Sequence, residues 1–271
     1  MSPLLRAVRD GGVVAGLLFT AYLFVVVAPN AGTFGFDAFA YWSVNQADPY
    51  ATPVGGLAAF NYSPPIARLF DPASLLPWQT FLVLWFGLLV ATVIWLPQRR
   101  RQILWLLAFP PVALELYHGN IHLLMAAAIA LGFRYPATWA FIALTKVTPA
   151  IGLVWFAVRR EWRSLAIAIG VTLAIVAVSY VLDPALWASW LRLLTSTGEG
   201  GTVTQFQIAI PLWLRLIAAV ALVAWGAHTD RRWTVPLAAT LALPILWVSG
   251  FAICAALVHS ELRSVPRGSR P

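Results

Sequence analysis

Residues 164–182 read SLAIAIGVTLAIVAVSYVL, a stretch of chain without one charged side chain. This length and composition are typical of a helix that crosses a bilayer, because the hydrocarbon core takes about 20 apolar residues to span. The basic segment RREWR at 159–163 precedes it, and the apolar run ATWAFIALTKVTPAIGLVWFAV at 137–158 lies on the other side of that segment. Apolar runs that alternate with arginine clusters indicate a polytopic membrane protein.

The composition of the whole chain supports the same class. Of its 271 residues, 61% are hydrophobic and 10% are charged, whereas about 25% of a soluble domain is charged. The net charge of +8 is explained by basic cytoplasmic loops, so no nucleic-acid partner is predicted. Cys254 is the only cysteine, which excludes an intramolecular disulfide and a cysteine zinc site. No Asp-x-Asp pair or histidine cluster has metal-ligand spacing, and neither a metal nor a cofactor is expected.

The arginine clusters constrain the number of crossings. Apolar runs occur at 11–28, 78–96, 103–117, 121–133, 137–158, 164–182, 207–226 and 233–259. If all the clusters between the runs face the cytoplasm, the number of crossings between consecutive clusters is even. That condition holds if runs 137–158 and 233–259 are each a pair of short helices, broken near Lys146 and Pro149 and at Pro244. We therefore expect an all-α integral membrane protein of the plasma membrane, with about ten transmembrane or partial-span helices.

The same tracing assigns the remaining segments. Residues 1–271 form a single transmembrane domain with both termini in the cytoplasm, and 260–271 are a cytoplasmic basic tail. Residues 29–77 form a first outer loop rich in aromatic residues and proline, where we expect interfacial helices in contact with membrane lipids. Residues 183–206 form a second outer loop.

Two cations within apolar runs are candidates for binding an anionic substrate group. Lys146 is the only lysine in the chain, and Arg215 lies about eight residues into its predicted helix. Such groups are expensive inside a membrane and usually face a cavity or a partner. At the outer level of the membrane they could hold a lipid-linked phosphate. The alternative for Lys146 is snorkelling to the interface, or pairing with a buried carboxylate such as Glu115.

Several outer-side residues could complete a site. Asp37 opens the segment FDAFAYW with Tyr41 four residues on, so a helix would turn both side chains the same way. A carboxylate there could act as general base toward a sugar hydroxyl, although a helix cap or a solvated charge is the alternative. His118 and His122 flank a Gly-Asn turn in LYHGNIHLL and could line one cavity with Glu115, or only shape the turn.

The ordered set of motifs resembles glycosyltransferase family 87 of the GT-C superfamily. The set runs FDAFAYW, DPYA and FNYSPP in the first outer loop, then HGNIHLL, ALTKVTPAIGLVWFAVRREWR and a late ALPILW. The resemblance implies a GT-C-like bundle and inverting sugar transfer from a polyprenyl-phosphate donor to a glycolipid or cell-envelope glycan acceptor. Mannosyl- and arabinosyltransferases are examples of the class.

The resemblance also implies roles for individual residues. Asp37 maps onto the aspartate base, Tyr41 and Tyr62 onto segments that shape the site, and Lys146 onto a contact for the donor phosphate. Asn120 belongs to the same predicted binding set, although the turn usually reads Gly-Gln. Ser249 stands near an expected histidine, and the chain is short for the family. The alternatives are a small transporter or lipid flippase, and a catalytically silent GT-C-like assembly partner.

Overall fold

The fold is known from a computed structural model, which describes residues 2–44, 48–53, 55–196 and 207–262. Within these ranges the regular structure is helical, apart from one isolated bridge between Gln207 and Trp247. The helices are α1 (Pro3–Ala31), α2 (Phe36–Trp42), α3 (Pro64–Phe70), α4 (Trp78–Trp95), α5 (Arg100–Leu107), α6 (Pro110–His118), α7 (His122–Gly132), α8 (Pro136–Thr145), α9 (Thr148–Val158), α10 (Trp162–Leu182), α11 (Pro184–Ser196), α12 (Leu212–Thr229) and α13 (Thr234–Leu241). Separate 3-10 helices lie at Asp71–Leu75, between α3 and α4, and at Val248–Val258 and Ser260–Leu262, after α13.

Four helices are long and apolar enough to cross a membrane: α1, α4, α10 and α12. The pair α6 and α7, bent by 117° at the turn between them, makes a fifth candidate. Their outward side chains are apolar, as at Val181 and Leu182 of α10, which are each 79% exposed. The predicted all-α membrane class is confirmed. Ten crossings stay a prediction, because the described residues support four or five.

The two predicted helix breaks are present. Run 137–158 divides into α8 and α9, with Lys146 in extended conformation between them. Run 233–259 divides into α13 and the 3-10 helix at Val248–Val258, with Pro244 between them. In each case the proline lies at or just after the break, as expected for a residue that cannot donate a helical hydrogen bond.

Other predicted bounds are wrong. Run 103–117 is not continuous, because Pro110 and Pro111 start a new helix after α5 ends. The first helix extends over Pro3–Ala31 and is therefore longer than the apolar run at 11–28 that predicted it. Run 207–226 begins with residues that are not helical, and α12 starts only after Pro211. Arg215 is therefore in the first turn of its helix and not eight residues in.

The outer loops contain helices, but their position relative to lipid stays a prediction. The first carries α2, α3 and the 3-10 helix at Asp71–Leu75, and the second carries α11. Residues 197–206 of the second loop, and the basic tail from residue 263 onward, lie outside the described residues.

The core lies among α7, α8, α9, α13 and the 3-10 helix at Val248–Val258. Trp139 is fully buried there between two glycines of neighbouring segments. A Cβ on Gly132 would lie 2.4 Å from the Trp139 ring, and one on Gly152 would lie 2.1 Å from it. The absence of a side chain at both positions lets α8 approach α7 and α9, which fixes where Lys146 emerges from the break.

Candidate active site

The turn between α6 and α7 is the base of the candidate site. Gly119 caps α6 with a left-handed φ of 70°, which glycine adopts without strain. Its carbonyl accepts a hydrogen bond of 2.7 Å from Trp85 Nε1. A Cβ at this position would lie 2.8 Å from the Cβ of Ala38 in α2. The turn is therefore held directly against the helix that carries Asp37.

Asp37 lies in the first turn of α2, half-buried, and receives a hydrogen bond of 2.7 Å from Asn120 Nδ2 to its Oδ2. The other side-chain atom of Asn120, Oδ1, accepts the backbone N–H of Ile121 at 2.7 Å, which fixes the orientation of the amide. Burial raises the pKa of Asp37 above its ordinary value, while nearby His118, the hydrogen bond from Asn120 and the charge of Lys146 act in the opposite direction. Asp37 is thus a carboxyl group whose protonation depends on its neighbours.

Two buried tyrosines form the wall next to Asp37. The hydroxyls of Tyr41 and Tyr62 are 2.9 Å apart, and the Tyr41 hydroxyl is 3.5 Å from Asn120 Oδ1. Tyr50 donates a hydrogen bond of 2.9 Å to the backbone carbonyl of Tyr62. The Tyr41 ring stacks on Phe70 with centroids 4.8 Å apart. These contacts join α2 to the later part of the first outer loop.

Lys146 enters the site from the break between α8 and α9. Its Nζ is 2.7 Å from His122 Nε2 and 5.9 Å from the centroid of the Tyr62 ring, near the outer limit of a cation–π contact. The side chain is half-buried, and its neighbour Val147 is 57% exposed. The ammonium group therefore lies between a buried partner and the surface.

Glu115 and His122 lie behind Lys146 and are fully buried. Glu115 Oε2 is 2.9 Å from His122 Nδ1. Its Oε1 accepts the backbone N–H of His122, and also that of Leu123 at 3.2 Å. The carboxylate thus caps the first turn of α7, where the helix dipole favours negative charge. Lys146 pairs with Glu115 only through His122, which the sequence did not indicate.

His118 is half-buried beside Asp37. Its Nδ1 is 3.0 Å from the carbonyl of Leu114, one turn earlier in α6, and its ring is edge-on to that of Tyr117. These contacts hold His118 against its own helix, and its imidazole is near enough to influence the charge of Asp37.

Arg215 has a different environment from the other predicted residues. Its guanidinium donates to the carbonyls of Ile210 at 2.8 Å, Leu241 at 2.7 Å, Leu243 at 2.5 Å and Pro244 at 3.0 Å. It thereby caps the carboxyl end of α13, where the carbonyl groups have no helical N–H donors. The described contacts give Arg215 this structural role, and binding of donor phosphate by Arg215 stays a prediction.

The predicted residues form two adjoining groups. One hydrogen-bonded group consists of Asp37, Asn120, Tyr41 and Tyr62, and the other consists of Glu115, His122 and Lys146. The Tyr62 ring beneath the Lys146 ammonium joins them. A carboxylate and a cation, drawn from distant parts of the sequence, therefore lie at one site. Their chemical roles stay predictions.

The sequence motifs did not indicate three residues that support this site. Ser63 donates from Oγ to the carbonyl of Leu144 at 2.6 Å and so ties the first outer loop to α8. Tyr50 fixes the backbone of Tyr62, and Trp85 fixes the Gly119 turn. The position of Ser63 before two prolines indicates a helix start, but no sequence signal gives its partner 81 residues away.

The model of glycosyltransferase family 87 matches residues 60–266, which is more than half of the chain. The chain belongs to glycosyltransferase family 87. The resemblance drawn from the motifs is confirmed, and family 87 membership implies glycosyl transfer. No curated protein and no solved structure matches the chain.

The family 87 match bears on the two groups of residues differently. It includes Tyr62 and Lys146, but it begins after Asp37 and Tyr41. A role for Asp37 as base therefore stays a prediction from the motif of the first outer loop and from the contacts of Asp37 in this structure.

Proposed function

We propose that this glycosyltransferase moves a sugar from a polyprenyl-phosphate donor to a glycolipid or cell-envelope glycan acceptor at the outer face of the plasma membrane, with inversion at the anomeric carbon. Family membership supplies the reaction class, and the apolar helices supply a location at the bilayer. A lipid-linked donor fits a site at the membrane surface and a sequence without a Gly-rich nucleotide-binding loop.

The observation that carries the proposal is a chain of contacts: Asp37, oriented by Asn120, belongs to the hydrogen-bonded group whose Tyr62 ring lies 5.9 Å from the ammonium of the only lysine, Lys146. The acceptor hydroxyl attacks the anomeric carbon, and its proton passes to the Asp37 carboxylate. The bond from the anomeric carbon to the phosphate oxygen breaks, and the phosphate leaves with the electron pair. The Lys146 ammonium stabilises the charge that develops on that phosphate.

The other residues of the site shape it around the two substrates. The Tyr62 ring lies between the base and the cation, so it can support a sugar bound across them. Tyr41 and Asn120 hold the Asp37 side of the site, and His118 adds a polar group beside the carboxylate.

Replacing Asp37→Asn tests the base. The amide keeps the size of the side chain but cannot accept the proton, so the turnover of a polyprenyl-phosphate sugar should fall by about 10²–10⁴-fold. Asp71→Asn is the matched control, since Asp71 lies in the same loop and pairs with Arg68 at the surface. Purified variants are compared by donor consumption and by melting temperature. Full turnover by folded Asp37→Asn would remove Asp37 from the mechanism.

A catalytically silent assembly partner is the second candidate, favoured by Ser249 near the position where the family pattern has histidine. In that case the wild-type protein and the Asp37→Asn variant would be equally inactive toward every polyprenyl-phosphate sugar. The comparison with the wild type therefore separates the two candidates.

A further inference from the structure

We infer that Glu115 and His122 are positioning residues that act through Lys146. The buried carboxylate fixes the proton of His122 on Nδ1, and the free Nε2 then holds the Lys146 ammonium in the orientation that receives the donor phosphate. This inference rests on the proposed function.

With Lys146 charged, as binding of a donor phosphate requires, the hydrogen-bond distances assign the proton of His122 to Nδ1. A lysine ammonium only donates, so His122 Nε2 at 2.7 Å from Lys146 Nζ accepts. A neutral imidazole that accepts at Nε2 carries its proton on Nδ1, which is 2.9 Å from Glu115 Oε2 and donates to it. Glu115 then accepts at both oxygens, Oε2 from His122 Nδ1 and Oε1 from the backbone N–H groups of His122 and Leu123.

Burial separates the residues by role. Glu115 is 0% exposed and His122 is 1% exposed, so neither reaches a substrate as the chain is folded. Lys146 is half-buried and adjoins exposed Val147. The direct hydrogen-bonded route from the buried pair to the donor therefore passes through the ammonium group.

Lys146 needs such a support because its side chain is long and flexible and its backbone lies in a break between helices. The bond to His122 uses one of its three N–H groups and leaves two for phosphate oxygens. A side chain that is oriented before the donor binds loses less conformational freedom on binding, which strengthens the affinity.

Glu115→Gln tests the chain of bonds with little change in volume. The amide oxygen is needed by the backbone N–H groups of His122 and Leu123, so the amide NH₂ faces His122 Nδ1. His122 must then accept at Nδ1 and carry its proton on Nε2, which opposes the Lys146 ammonium. We expect the KM for the donor to rise about tenfold, with a smaller change in the KM for the acceptor. Melting temperature checks the fold.

A pair of His122 variants separates positioning from a purely structural role. In His122→Gln the amide oxygen reaches the place of Nε2 and keeps an acceptor for Lys146. In His122→Asn the amide reaches only the place of Nδ1, so it keeps the bond to Glu115 and loses Lys146. Positioning predicts a donor KM closer to wild type for the Gln variant. A better result for the Asn variant, or equal loss in both, would overturn the inference.

Because Lys146 is the only lysine, its chemical modification can be followed on its own and gives a measurement that does not depend on activity. The rate of its modification by an amine-reactive reagent, followed by peptide mass spectrometry, is expected to rise in Glu115→Gln, because the ammonium loses both its acceptor and the negative charge behind it. Glu161→Gln is the matched control, since Glu161 pairs with Arg159 elsewhere. An unchanged rate at Lys146 would refute the chain of bonds itself.

The two measurements together distinguish this inference from the proposed function. A faster modification rate and a raised donor KM support both. A faster rate with an unchanged donor KM overturns the claim that the chain serves the donor. A faster rate in a protein whose wild type consumes no polyprenyl-phosphate sugar shows that the proposed function, and not the hydrogen-bond chain, has failed.

Discussion

At the scale of single residues, Asn120 is one of the groups that set the charge state of Asp37. Its amide donates to the Asp37 carboxylate at 2.7 Å, and that bond is one of the influences that lower the pKa of Asp37 against the larger effect of burial. A base that is buried and still ionised depends on such donors.

Asn120→Ala should therefore raise the pKa of Asp37 further. Because the base works only when it is deprotonated, the acid limb of the profile of kcat/KM against pH is expected to move to higher pH. At high pH, where Asp37 is ionised in both proteins, the activities should approach each other. An acid limb that stays in place would show that a different group titrates there.

The sequence indicated these residues because charged side chains are costly within a membrane, but it could not show which of them contact each other. Charged side chains within apolar runs are few, so Lys146 and Glu115 could be recognised from the sequence. The contact between Asp37 and Asn120 joins positions 83 apart. The sequence also could not predict that His122 lies between Lys146 and Glu115. Periodicity indicates which face of one helix is buried, but not the depth at which two helices meet.

At the scale of elements, the site depends on the left-handed turn at Gly119. The turn sets α6 and α7 at 117° to each other and lies against α2. Helix α2 can carry Asp37 to Asn120 only because no Cβ separates Gly119 from Ala38.

Gly119→Ala is expected to lower both stability and activity. The left-handed conformation alone costs an L-residue about 1–2 kcal/mol, and the new Cβ would lie 2.8 Å from that of Ala38. Gly87→Ala in α4 is the control, because a Cβ there meets nothing within 4 Å and alanine favours helix. Thermal melting in detergent measures the difference. Equal melting temperatures for the two variants would contradict the close approach at Gly119.

The helix breaks show what could be predicted about elements. Charge parity together with Pro149 and Pro244 predicted two of them correctly. The break before Pro110 was missed, because the surrounding run is uniformly apolar and two prolines can also begin a helix without dividing a span. The late start of α12 was missed for a related reason: Ile208, Ala209 and Ile210, before Pro211, are as apolar as the helix itself.

At the scale of the whole molecule, composition and the arginine clusters were sufficient for the membrane class. They were not sufficient for the number of crossings, because short helices that do not cross the bilayer can have the same apolar composition as parts of a full span. The described residues contain helices of both kinds: four of 18 residues or more, and shorter apolar ones such as Pro136–Thr145 and Thr148–Val158. Which side of the membrane each end faces stays a prediction from the arginine clusters.

We propose that this protein is a transferase that uses a lipid-linked donor, and this claim has a direct test. The most direct measurement incubates the purified wild-type protein with a panel of polyprenyl-phosphate sugars and a membrane lipid extract, and identifies the products by mass spectrometry. We expect one donor to be consumed, polyprenyl phosphate to be released, and an acceptor to gain the mass of one sugar residue. If every donor remains intact while the protein is folded, the claim is contradicted.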